Sequence, residues 1–121
     1  QGICADAIAT LEQIPREALD ALGVTSQQRA GRAIAEGRFA RALVPVHRAD
    51  GTLALDRDEL PRPTTTLDDL AKLKPAFEAM GNHPLDERGT TYASLVRQLY
   101  PDLAIRHVHH AGNSSGVADG A

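Results

Sequence analysis

Two prolines bracket the helical part of one stretch, Arg62 to Phe77, and they leave room there for a single short helix. The stretch reads Arg-Pro-Thr-Thr-Thr-Leu-Asp-Asp-Leu-Ala-Lys-Leu-Lys-Pro-Ala-Phe. Thr66 is placed as an N-cap, with Asp68 and Asp69 at the positive end of the helix dipole. Leu67, Leu70 and Ala71 fall on one face at i, i+3, i+4 spacing, and Lys72 and Lys74 lie near the C-terminus, where cations are favoured. Pro75 lacks an N–H and biases Lys74 out of the helical region, so the helix ends about there. Pro75-Ala76-Phe77 is then a rigid apolar corner beside two lysines and not far from Arg62. Such a corner suits a ligand with a greasy part and phosphates, although capped helices with flanking lysines are usually only structural.

Upstream, Ile3, Ala7, Ile8, Leu11 and Ile14 repeat with helical period and predict a helix over roughly residues 4–13, with Cys4 at its N-cap. Cys4 reads as a small, part-buried helix-start residue rather than a nucleophile, since no His or Asp stands at motif distance. Pro15 opens a second helix, in which Leu19, Leu22, Ser26, Ala30, Ala33 and Ile34 form a narrow seam. Gly23 weakens or kinks that helix, and Gly37 ends it in the left-handed conformation. A short β-hairpin follows: Ala42–Val46, a turn at Ala49-Asp50-Gly51, and Thr52–Leu55, with Pro45 marking an edge. Asp56, Asp58 and Glu59 lack the spacing of a calcium loop and read as a solvated acidic turn.

Beyond the Gly81–Pro84 loop, a helix from about Thr91 to Leu99 carries Tyr92, Leu95, Val96 and Leu99 on one face, and Pro101 stops it. Ala104–His110 reads as a strand that points Ile105, His107 and His109 one way and Arg106, Val108 and His110 the other. Two His at i, i+2 invite a metal, but a zinc site wants further ligands, and none stands at a telling spacing. No metal is therefore expected. Ala111–Ala121 is a run of small and turn-forming residues, in which Gly112 and Gly116 are free to take positive φ.

Composition narrows the function classes. The net charge of −3 argues against a nucleic-acid binder. One cysteine excludes an intramolecular disulfide and fits a reducing, cytoplasmic setting. No apolar run is long enough to span a bilayer, and no signal peptide is apparent. Aromatics are Phe39, Phe77, Tyr92 and Tyr100 alone, so the core is aliphatic and mostly helical. The chain opens on Gln and closes without a stop-like signal, which raises the expectation of a segment, residues 1–121, incomplete at both ends.

Ala71-Lys72-Leu73-Lys74-Pro75-Ala76-Phe77, followed by Ala111-Gly112-Asn113-Ser114-Ser115-Gly116 and Asp119-Gly120-Ala121, resembles the thiolases, the acetyl-CoA acyltransferases and acetyltransferases. The earlier order agrees: Ser26-Gln27-Gln28-Arg29-Ala30, Gly37-Arg38-Phe39, then Leu43-Val44-Pro45-Val46. The resemblance covers essentially the whole chain and implies an α/β (helix-rich α+β) segment, mostly the coenzyme A-binding loop domain, with a short β-hairpin. It implies that Arg62 meets the adenine and phosphate end of coenzyme A, that Leu73, Ala76 and Phe77 line its apolar length, and that Ser115, with Ala111 beside it, hydrogen-bonds the pantetheine amides. It implies thiolytic cleavage of a 3-oxoacyl-CoA or the reverse condensation, with the catalytic Cys and His motifs elsewhere; Cys4 does not match the nucleophile.

Acyl-CoA, the remainder of a thiolase chain and a further copy in a homo-oligomer are the implied partners. The residues between Phe77 and Ala111 exceed the short link of many thiolases. That length resembles a degradative subgroup acting on bulky acyl chains, including steroid-derived ones. Asp69 stands where a small hydroxyl is expected. Two other readings stand beside this one: a stand-alone helical interaction module, and a small His-based metal-binding domain.

Overall fold

The computed structural model describes residues 1–116, so Asp119-Gly120-Ala121 lies outside the described residues. Five helices and one hairpin follow in order: α1 (Gly2–Leu11), α2 (Arg16–Ala35), β1 (Val46–His47), β2 (Leu53–Leu55), α3 (Leu67–Ala71), α4 (Glu78–Asn82) and α5 (Tyr92–Leu99). The architecture is thus helix-rich α+β with one antiparallel two-stranded ribbon. The chain divides into two compact units, one of residues Gln1–Gly23 with Leu67–Ala121 and one of residues Val24–Thr66. No helix among the described residues is long and apolar enough to cross a membrane.

The first unit holds the core. Ile3, Ala7, Ala9, Leu70, Ala93 and Val108 are buried. The inward face of α1 is rotated from the expected one: Asp6 is buried, whereas Ile8 and Leu11 are 56% and 39% exposed. Its N-cap is Gln1, so Cys4 sits inside the first turn and is exposed. The helix closes on Gln13, a non-glycine at φ 54°. There Ile14 N–H reaches Ala9 O at 2.8 Å and Gln13 N–H reaches Thr10 O at 3.3 Å, the paired bonds of a Schellman cap.

Pro15 directly precedes α2, and that helix runs unbroken through Gly23. A Cβ at Gly23 would stand 2.7 Å from the Gly112 carbonyl oxygen, so this glycine provides a close approach rather than a kink. In the second unit the same helix ends as expected. Gly37 has φ 65°, its N–H meets Ile34 O at 3.0 Å, and Arg38 N–H meets Ala33 O at 3.0 Å. Pro63 packs against Gly31 of α2, where a side chain would collide with its ring.

The hairpin is shorter than its sequence pattern. Phe39–Leu43 coils in successive turns, and Pro45, with no N–H for a ladder, stays outside β1. Val46 pairs with Leu55 and His47 with Leu53, with a bulge between. Gly51 at φ 84° makes the turn, and Asp50 Oδ1 accepts from the backbone N–H and hydroxyl of Thr52 at 2.9 and 2.6 Å.

Three further expectations are corrected. Helix α3 stops at Ala71 rather than at about Lys74, closed by a tight turn in which Leu73 N–H meets Leu70 O at 3.0 Å, and Arg16 satisfies carbonyls at and just beyond its end. The guanidinium Nη2 donates to Leu70 O and Leu73 O, each at 2.7 Å. Gly81 and Asn82, expected to open a loop, instead end the one-turn helix α4, and Gly81 is buried against Ile3. Ala104–His110 is not a strand. Helix α5 stands where expected, capped by a reciprocal box between Thr91 and Ser94, but it turns Ala93 inward and leaves Leu99 79% exposed.

Candidate functional site

The segment 104–110 keeps the alternation of a strand without a neighbouring strand to pair with. Its backbone donors go to side chains instead. Arg106 N–H reaches Thr10 Oγ1 at 2.9 Å, and the N–H groups of Val108 and His109 both reach Asp6 Oδ1 at 3.0 Å. On one side His107 Nδ1 meets Asp6 Oδ2 at 2.8 Å and His109 Nδ1 meets Asp6 Oδ1 at 2.7 Å. On the other side Val108 and His110 are buried.

Asp6 is wholly buried and lies at the centre of this arrangement. Burial alone would raise its carboxyl. The hydrogen bonds from His109, the Val108 amide, His107 and the His109 amide outweigh that effect and hold it below the ordinary 3.8. An ionised carboxylate only accepts, so both imidazoles donate from Nδ1 and their Nε2 atoms are turned away from Asp6.

A second carboxylate organises the following turn. Asp20 Oδ1 lies 2.8 Å from His110 Nε2 and accepts from Asn113 Nδ2 at 2.9 Å. His110 Nδ1 accepts the Gly112 N–H at 3.1 Å, which assigns the Nε2–H tautomer. The Asn113 amide works at both ends: Oδ1 accepts from His110 N–H at 2.8 Å and Nδ2 also reaches Val108 O at 3.2 Å. Arg16 closes the group, with Nε 3.3 Å from Asp20 Oδ2. The Ala111-Gly112-Asn113 motif therefore has a structural reason. Asn113 ties the turn, and a side chain at Gly112 would overlap Leu70 and lie 3.1 Å from Leu73 Cδ1.

Some of the expected ligand residues meet here and others do not. Ala76 N–H donates to His109 O at 2.9 Å, joining the Pro75–Phe77 corner to the histidine segment. Leu73 is 38% exposed beside Gly112, and Ala111 is exposed on the same turn. The Phe77 ring lies over Gly2 at the start of α1, so much of it is used in packing. Ser115 is exposed, and its hydroxyl donates to Gly116 O at 3.2 Å. Arg62 belongs to the other unit. Its N–H is held by Gln27 Oε1 at 2.6 Å, its carbonyl accepts from the Thr65 hydroxyl at 2.7 Å, and the residue is exposed. Asp69 is exposed and lies 3.7 Å from Lys72 Nζ.

Among the described residues of the first unit, two of the surface cavities are lined by none of the six expected residues. One, of about 290 Å³, is walled by Arg16, Glu17, Asp20, Leu67, Asp68 and Ala71. Its three carboxylates repel a phosphate, and its guanidinium is already occupied. The other, of about 380 Å³, is lined by Leu11, Leu99, Tyr100, Pro101, Asp102 and Leu103. Among the described residues no group of three or more His, Cys, Asp and Glu is placed to hold a metal ion.

Sequence periodicity did not find Asp6, Asp20 or Arg16. Two of them carried a signal: Asp6 sits between apolar neighbours on the buried side of a helix, and Arg16 is a cation at a helix N-terminus, where the dipole disfavours it.

A family model described as the N-terminal domain of thiolase matches residues 1–83. The chain is 38% identical to an acetyl-CoA acetyltransferase of Thiocystis violacea over 99% of its own length and 25% of that protein's. It is 40% identical to a β-ketoadipyl-CoA thiolase of Pseudomonas aeruginosa over 97% of its length and 23% of the relative's. Against a 3-ketoacyl-CoA thiolase of Pseudoalteromonas translucida it is 46% identical over 63% of its length and 20% of the relative's. The chain thus spans about a quarter of the length of these curated relatives, or somewhat less.

Proposed function

The chain belongs to the thiolase family, and from that premise we propose that it is the coenzyme A-gripping part of a thiolase-type acyltransferase. The reaction is thiolytic cleavage of a 3-oxoacyl-CoA, or the reverse condensation. The nucleophilic Cys and the acid–base Cys and His that this chemistry needs lie in motifs outside these 121 residues. What these residues contribute is hold on the carrier.

The observation that supports this reading most is the bond between Ala76 N–H and His109 O. It brings the Leu73–Phe77 corner against the segment that leads into Ala111–Ser115, the two stretches that most resemble the family. Leu73 and Ala76 offer an apolar wall, with the exposed edge of Phe77. Ala111 adds a small surface beside it, and Ser115 offers a hydroxyl able to donate to or accept from an amide. Arg62 is proposed on its chemistry: a guanidinium that is always charged and matches phosphate oxygens in a fork. Gln27 and the Thr65 hydroxyl fix its backbone, leaving the side chain to reach outward.

In this reading the chain is the family's loop domain over residues 1–121, cytoplasmic, and part of a homo-oligomer. The relatives' names run from acetyl to β-ketoadipyl thioesters, so the proposal is confined to the class of 3-oxoacyl-CoA. The test is titration of coenzyme A into the whole protein with and without Arg62→Ala and Ser115→Ala.

A further inference from the structure

Helix α5 turns its apolar stripe to solvent. Tyr92, Leu95 and Leu99 stand at i, i+3 and i+7 on one side of it, 46%, 42% and 79% exposed, while Ala93 takes the buried position. Helix α1, which packs against α5, does the same with Ile8 and Leu11. The two stripes meet, because Leu11 and Leu99 wall the same cavity of about 380 Å³, together with Leu103 and Asp102. Leu99 therefore both lines the hollow and projects from its rim. The same patch carries charge of both signs. Asp102 is exposed at the cavity, and Arg106 is exposed at the end of α1 that carries Leu11, its N–H on Thr10 Oγ1 and its Nη2 on Ala9 O. Among the described residues neither Asp102 nor Arg106 forms an ion pair.

We infer that this α1–α5 face is an interface with a second copy of the chain, related by a two-fold axis. A contiguous apolar patch rimmed by polar groups marks a contact surface. A two-fold contact uses one patch twice: residue i of one copy meets residue j of the other, and j meets i. Such a patch has to complement itself, and this one holds a knob beside a hollow and an anion beside a cation. Leu99 of each copy enters the hollow of the other, and Asp102 of each pairs with Arg106 of the other. A partner of a single charge sign would leave one of those two groups facing its like. A cover from elsewhere in the same polypeptide needs no such pairing of features within one patch. The inference does not rest on the coenzyme reading, so a failed coenzyme A titration leaves it standing.

Sedimentation of the whole protein over a dilution series tests it. Asp102→Arg and Arg106→Asp each set like charges together twice across the axis, and Leu99→Asp puts a charge into the hollow. Each is expected to weaken assembly at least ~10-fold. Mixing the two charge variants is expected to restore assembly, because the two altered chains then complement one another. Assembly unchanged by all three substitutions overturns the inference. So does a mixture no stronger than its components, since the losses then arise within each chain. Hydrogen exchange of peptide 92–103 in the unaltered protein serves where the variants misfold. Protection lost on dilution supports the inference, and exchange that does not depend on concentration refutes it.

Discussion

Asp6 holds His109 twice, by the backbone N–H at 3.0 Å and by the ring Nδ1 at 2.7 Å, both at the same carboxylate oxygen. A residue of the first helix thereby fixes the direction of the chain as it enters the Ala111–Ser115 turn. Asp6 and Thr10 take the backbone donors that a neighbouring strand would take, and Asp20 of α2 holds the His110 ring and Asn113, whose Oδ1 takes the His110 N–H.

Removing Asp6 strands two backbone donors and two rings. Asp6→Ala in the whole protein is expected to cost about 3 kcal/mol or more, the usual scale for breaking a buried charged group's contacts. Chemical denaturation measures it. The pH dependence follows from the depressed carboxyl. A group with a lowered folded pKa contributes its stabilisation in full above the unfolded value, and that contribution is lost as pH falls through the folded one. The unaltered protein should therefore lose stability as pH drops below about 4, and Asp6→Asn should flatten that acid limb. An unchanged limb would contradict the role given to Asp6.

Gly23 sets two effects of opposite sign against each other. Alanine is favoured in a helix interior by about 1 kcal/mol. Its Cβ, however, would stand 2.7 Å from the Gly112 carbonyl oxygen, and a backbone atom yields only by moving the turn. Overpacking of this kind typically costs about 1–3 kcal/mol, so Gly23→Ala should lower the melting temperature. A rise would mean that α2 does not approach the turn closely.

Gln13 sits in the left-handed region at φ 54°. Glycine carries no Cβ penalty there, so Gln13→Gly should stabilise by about 0.5–1 kcal/mol despite its greater unfolded entropy. Gln13→Val should destabilise. Thermal unfolding of the pair checks the sign.

How far these features are legible in the residues depends on whether the signal is local. Gly37 at the end of α2 and Thr91 at the start of α5 were readable, because caps are set by a few neighbouring residues. The orientation of helix faces was not. Periodicity assigned Ile8 and Leu99 inward, yet which face is buried depends on partners far along the chain, and both are exposed. The partner of the carbonyls around the end of α3 is as remote: Arg16 reaches Leu70 and Leu73 from more than fifty residues away. Segment 104–110 shows the limit most clearly. Its alternation was correct, but an alternating pattern does not reveal whether a strand or a carboxylate accepts its hydrogen bonds. For the candidate site, the two motif stretches stood out as short residue patterns. Their supporting shell of Asp6, Asp20 and Arg16 emerged only in three dimensions.

Arg62 and the Ser115 turn are proposed to grip coenzyme A, and the decisive measurement is calorimetric titration of coenzyme A into the whole protein. Losing a charged phosphate contact or a buried hydroxyl bond is worth about 1.5 kcal/mol, roughly tenfold in affinity. Arg62→Ala and Ser115→Ala should each weaken binding by about that factor while leaving the unfolding transition in place. Affinity unchanged in both variants would remove Arg62 and Ser115 from the coenzyme A site.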